Sequence, residues 1–124
     1  MRKIICIAIL CISLSLLSIP VSAHAVTNDT DEVLITDAFK TILTKAIDDA
    51  IVGHYGKREK SFGIHDVKIK EIKRLMQGGY SFLCKVEVST YEGPHNPPYG
   101  LEIITFEIGP AGVSVVEYLH KDVP

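Results

Sequence analysis

Hydrophobic periodicity changes once along this chain, from helical to alternating, and that change limits the fold more than any other feature. Leu34, Ile35, Ala38, Phe39, Ile42, Leu43, Ala46, Ile47, Ala50 and Ile51 recur at three- and four-residue steps. Such spacing makes one apolar stripe on a helix. Lys40, Thr41, Thr44, Lys45, Asp48 and Asp49 fall on the other side. Asp29, Thr30 and Asp31 can each cap the start, and acidic residues there suit the positive end of the helix. Gly53 is the expected stop, because glycine accepts the left-handed conformation that closes a helix. The helix is expected to span about 22 residues, roughly 33 Å, with a break near Thr44 left open.

After Gly53 the pattern becomes that of strands. Gly53 to Gly63 reads as a linker in which Lys57, Arg58 and Lys60 are solvated. In "IHDVKIKEIKRLM", Val67 and Ile69 alternate with lysines, and then Ile72 falls on the wrong parity. A bulge near Lys70-Glu71 explains this better than a short helix through Ile69, Ile72 and Met76. "QGG" makes a turn. In "YSFLCKVEVSTY", Tyr80, Phe82, Cys84, Val86 and Val88 share one face, and Ser81, Lys85, Glu87 and Ser89 the other. "LEIITFEI" places Ile104, Phe106 and Ile108 on one parity. "GPAG" turns the chain into "VSVVEYLH", with Val116 and Tyr118 expected inward and the tail "KDVP" free. The expected fold is α+β: one long N-terminal helix packed on a four-stranded antiparallel meander sheet.

The first 25 residues have a different character. Arg2 and Lys3 precede an uncharged, mostly apolar run from Ile4 to Ile19, then Pro20 and Ala23-His24-Ala25. This is the order of a secretory signal peptide. Residues 1–25 are therefore read as a leader and 26–124 as a single domain. Cleavage after Ala23 and retention as a membrane anchor are the alternatives, and a membrane association is expected only through retention. A lipoprotein signal is disfavoured by bulky Leu10 before Cys11. Loss of Arg2 and Lys3 leaves eleven basic against fifteen acidic side chains, a net charge of −4. That balance is poor for nucleic acid, whose recognition rests on phosphate neutralisation. Only Cys84 remains outside the leader, so no internal disulfide can form, and its place in an alternating strand predicts a buried thiol.

The remaining chemistry is concentrated in "YEGPHNPPYG". Pro94, Pro97 and Pro98 lack N–H donors and fix φ. Gly93 and Gly100 reach φ values that other residues avoid, and Asn96 precedes a proline and is held extended. A cis bond at Asn96-Pro97 or Pro97-Pro98 is compatible with the sequence. So rigid a loop either clasps its own hairpin, with Tyr99 packed on the sheet end, or presents His95, Asn96 and Tyr99 to a partner at low entropic cost. The binding candidates are thus Gly93, Pro94, His95, Asn96, Pro97, Pro98, Tyr99 and Gly100. A hydrolase or lyase using His95 as base and Asn96 as oxyanion donor is an alternative, but no nucleophile accompanies them. His54, His65, His95 and His120 lack metal-ligand spacing, and no cofactor motif is present. Lys68, Lys70, Lys73 and Arg74 could line an exposed face toward an anionic polymer, although the simpler reading is a charged outer strand face.

The block "GPHNPPYGLEIITFEI" with "GVSVVEYLH", preceded by "AIDDAIVGHYG" and "IKEIKRL", resembles a family of small exported proteins of spore-forming Gram-positive bacteria, domain of unknown function 3888. The resemblance covers nearly all of residues 26–124. It implies export and a domain boundary, and assigns no catalytic residue. The element order is also similar to cystatin-like folds, although the Gln-x-Val-x-Gly loop motif of cystatins is absent. The expectation is a secreted, non-enzymatic module binding an extracellular protein or cell-wall polymer through the Gly93–Gly100 loop. Self-pairing through an edge strand is a further alternative.

Overall fold

The computed structural model describes residues 29–124. The leader read at residues 1–25 lies outside them. Helix α1 runs Asp31–Tyr55. The Thr30 side chain accepts from the Val33 N–H at its start. The helix passes through Gly53 and closes at Gly56, whose φ is +74° and whose N–H donates to the Val52 carbonyl. The extra turn brings His54 and Tyr55 onto the helix. No break occurs at Thr44, whose hydroxyl donates to the Lys40 carbonyl one turn back.

Five strands follow: β1 (Lys60–Ser61), β2 (Lys68–Arg74), β3 (Phe82–Glu92), β4 (Asn96–Gly109) and β5 (Gly112–Val123). The fold is α+β, as the periodicity predicts, with five strands rather than four. The added strand lies inside the segment read as a linker. β1 and β2 both pair with β3, on the same side, and a 3-10 turn at Ile64–Asp66 separates them. They are one interrupted edge. β4 and β5 extend the other side, and every pairing is antiparallel.

The β2 bulge falls where Ile72 changes parity. Ile69 pairs with Val86 and Glu71 with Lys85, leaving Lys70 as the extra residue. Ile69 and Ile72 are thereby both opposite inward residues of β3. A second bulge was not read from the sequence. Thr105 pairs with Glu117 and Phe106 with Val115, so Val116 is extra and is 57% exposed rather than inward. The residues "KDV" are not free either, because β5 continues until Val123 meets Tyr99. Tyr80 lies before β3 and is 78% exposed, not part of its inner face.

Leu43, Ile47, Ala50 and Ile51 of α1 pack on Val67, Cys84, Val86, Val88, Ile104 and Phe106. Cys84 is fully buried, and burial pushes its thiol pKa up to about 11. It is an unreactive core residue. Leu34, Ile35 and Ile42 of the helical stripe stay exposed. Among the described residues no helix is long and apolar enough to cross a membrane.

Candidate functional site

The tip joining β3 to β4 is tighter than its sequence suggests. Only Gly93, Pro94 and His95 form the turn, while Asn96 already pairs with Glu92. Gly93 and His95 have φ of +50° and +65°, and the His95 N–H donates to the Gly93 carbonyl at 3.0 Å. Left-handed backbone is uncommon for a histidine. Its ring stacks on Tyr91 with 3.9 Å between centroids. Tyr99 Oη donates to the His95 carbonyl at 3.0 Å. The Pro97-Pro98 bond is cis. Pro94, Asn96, Pro97 and Pro98 are exposed.

These bonds shape a hollow of about 290 Å³ beside the tip, lined by Tyr91, His95, Tyr99, Asp66, Ser89 and Val123. Ser89, Tyr91, Tyr99 and Val123 belong to the parity that faces away from α1. His95 and Tyr99 are therefore brought together with two residues that sequence reasoning did not assign, Tyr91 and Asp66. Tyr91 continues the outward parity of Ser89, which is the signal that could have found it. Asp66 arrives through the 3-10 turn, which alternation cannot reveal. No carboxylate or nucleophile hydrogen-bonds the His95 ring among the described residues, so a hydrolytic centre on His95 has no geometric support.

Two loop residues turn inward instead. The Pro98 carbonyl accepts from Lys60 Nζ at 2.6 Å, and Lys60 also meets Glu92 at 3.2 Å. Lys60 is 7% exposed, not solvated as its linker composition predicts. Gly100 is buried beneath a carboxylate, that of Glu102, on the core parity of β4.

Glu102 is fully buried and well satisfied. Its Oε1 accepts from Tyr55 Oη at 2.7 Å and from Thr90 Oγ1 at 2.8 Å. His120 Nδ1 lies 3.0 Å from Oε2, and His120 Nε2 lies 3.0 Å from Asp122 Oδ1. An imidazole with a carboxylate at each nitrogen satisfies both only when both nitrogens carry protons. His120 therefore serves as the counter-charge to the buried Glu102 carboxylate. Burial opposes its protonation, but the Asp122 and Glu102 hydrogen bonds and charges outweigh that and raise its pKa above 6.5. Burial and then Glu102 push the Tyr55 hydroxyl up to about 12. Tyr118, stacked on His54 at 4.4 Å, has a buried hydroxyl with no hydrogen-bond partner among the described residues. Burial, and the Glu102 charge nearby, hold it protonated far above its ordinary range.

This network ties the end of α1 to β3, β4 and β5 directly under the loop. It carries a pH dependence. The folded pKa of His120 is raised, so its contribution is full below about 6.5. That contribution is lost as pH rises through the folded value. Melting temperature is expected to fall across that window, and a His120→Ala variant should lose the part of the fall that the imidazole carries, keeping only the gain in acid that an unpaired buried carboxylate gives. A wild-type curve flat from neutral to mildly alkaline pH would overturn this assignment.

Among the described residues the geometry is that of an α+β domain, one long helix on an antiparallel sheet, with a tight hairpin tip over a buried ionic network. The chain belongs to the DUF3888 family, described as a protein of unknown function, whose model matches residues 35–122. No curated protein and no solved structure gives a significant match.

Proposed function

We propose that this chain is an exported, non-enzymatic binding module that takes a sugar unit of a wall polymer in the hollow beside the Gly93–Gly100 loop. The observation that carries this reading is the pairing of aromatic walls (Tyr91, His95, Tyr99) with polar groups (Asp66, Ser89) in one small concavity. Aromatic faces cover the apolar faces of a sugar ring, while a carboxylate and a hydroxyl accept and donate at its edge. At about 290 Å³ the hollow lies just under the roughly 300–1,000 Å³ usual for ligand sites, the size of a site for a single sugar unit. Its walls are fixed before binding, so little freedom is lost on contact.

A neutral ligand suits the charges better than an anionic one. Asp66 sits in the hollow itself. The basic strip read from the sequence is already engaged: Lys68 and Lys70 face Glu87 at 3.4 and 3.9 Å, and Lys73 faces Glu71 at 2.9 Å. Arg74 donates to the Gly79 carbonyl and lies over Phe82.

Titration with neutral wall glycan fragments tests this. Tyr99→Ala and Asp66→Asn should each weaken binding at least about tenfold with little response to salt, and the Asp66→Asn melt should match the wild type. Absence of any glycan binding would overturn the reading. So would binding that both variants retain.

A further inference from the structure

We propose that β5 pairs with β5 of a second copy of this chain, antiparallel about a two-fold axis at Leu119. β5 is the last strand of the sheet. One side of it is paired with β4 from Gly112 to Val123. No backbone hydrogen bond reaches its other side among the described residues. Exposed edges of this kind are templates for pairing, and proteins usually blunt them. The opposite edge is blunted: the 3-10 turn at Ile64–Asp66 interrupts it, Lys70 bulges out of it, and Lys68 and Lys73 flank the bulge. On β5 the bulge at Val116 leaves a regular stretch, Glu117–Val123, that contains no proline.

The sequence of that stretch selects one register. A two-fold axis normal to the sheet carries the outer face of one strand onto the outer face of the other. Opposed residues must therefore share a parity. Centring on Leu119 opposes Leu119 to its own copy, Glu117 to the second copy's Lys121, and Lys121 to the second copy's Glu117. Centring on Tyr118 sets Glu117 against Leu119 and runs Lys121 into the strand beyond the bulge. Centring on His120 opposes two imidazolium groups and sets Lys121 against Leu119. Only the first register matches apolar to apolar and charge to charge. Both charges are available for it, because neither Glu117 nor Lys121 forms an ion pair among the described residues. Glu117 accepts one long hydrogen bond, from Thr105 at 3.3 Å. Leu119 is exposed at the centre. The Val116 bulge ends the ladder after Glu117, which keeps the pairing finite. The same axis leaves both tip hollows on one surface of the joined sheet.

Sedimentation equilibrium of the purified protein reads the association directly. A concentration-dependent dimer is expected. Glu117→Lys and Lys121→Glu should each weaken it at least about tenfold, since each sets like charges opposite one another twice per dimer. The double exchange Glu117→Lys/Lys121→Glu should restore it, because the register then pairs the swapped charges. Leu119→Cys should form a covalent dimer on oxidation that the wild type does not. The side chains changed are exposed, so the melts should match the wild type and show that each variant folds. A protein monomeric at every concentration would overturn the proposal. A dimer indifferent to the single reversals, or one the double exchange fails to restore, would overturn the register.

Discussion

His120→Ala is expected to destabilise the protein by about 3 kcal/mol, lowering the melting temperature by roughly 12–24 °C at neutral pH. Glu102 is fully buried on the core parity of β4. Its charge is held by Tyr55 and Thr90, both neutral donors, and by His120, the one positive group that contacts it among the described residues. Removing one member of a buried ion pair leaves the other desolvated and unpaired, which typically costs about 3–5 kcal/mol. The lower end applies here, because the His120 side chain is about one-quarter exposed and water can follow its removal. The variant should recover at acid pH. A stranded carboxylate binds its proton more tightly in the folded state than in the unfolded one, so stability rises as pH falls. Asp122→Asn is the contrasting control. Asp122 is 97% exposed, and its loss should shift the melt by little. Thermal melts of the three proteins across pH decide the matter. A His120→Ala melt within a few degrees of wild type, or one that fails to improve in acid, would show that Glu102 does not depend on the imidazolium.

The fold was legible where one rule acts at a time. Helical spacing marks α1, and alternation marks β3 and β4, because a single buried face selects the apolar residues in each. Even the β2 bulge could be read, since Ile72 breaks parity in a strand with few other apolar residues. The β5 bulge could not. Val113, Val115 and Val116 are all apolar, so a shift of one residue leaves the pattern unchanged to the eye. It nevertheless moves Val116 outward and sets Val113 and Val115 on the inner parity, while Tyr118 stays inward as its alternation predicts. β1 was hidden because two residues carry no period. Lys60 then reads as solvent-facing by type, while its ammonium is taken up by the Pro98 carbonyl and Glu92. The helix outran Gly53 because a glycine inside a helix is tolerated when a later one, Gly56, offers the same left-handed closure.

The ionic network shows the same division. Glu102 shares the parity of Ile104 and Phe106, and Thr90 that of Val88. A carboxylate on a core parity is a visible irregularity in the sequence. What alternation cannot supply is the partner. Tyr55 comes from the helix, and His120 comes from β5, on the same inward parity as Tyr118 but far along the chain from Glu102. The proline and glycine content of the loop is legible, yet its division is not. Whether a given residue of "GPHNPPYG" points to solvent or into the network depends on where the strands start, and β4 starts at Asn96, well inside the apparent loop.

Gly100 is where the loop and the network meet, and Gly100→Ala is the sharpest test of their connection. A Cβ on Gly100 would lie 2.5 Å from Glu102 Oε1, 2.6 Å from Thr90 Oγ1 and 3.0 Å from His120 Cε1. A flexible side-chain end could ordinarily swing away from such a contact. Here the three atoms hold one another: Oε1 accepts from Tyr55 and Thr90, while His120 is fixed between Glu102 and Asp122. Any movement that makes room breaks a hydrogen bond to a buried charge, each worth about 1.5–3 kcal/mol. Overpacking alone costs about 1–3 kcal/mol. The variant should therefore lose about 2–4 kcal/mol, although glycine to alanine is usually mild or stabilising in an unstrained strand. A matched substitution at the tip, Asn96→Ala, touches none of these atoms and should leave the melt close to wild type. Combining Gly100→Ala with Glu102→Ala separates the two causes. If the added methyl acts through the carboxylate, the pair should be no less stable than Glu102→Ala alone, because the crowded oxygen is gone. Full additivity of the two losses would mean that the methyl acts on Thr90 or on the backbone rather than through the carboxylate.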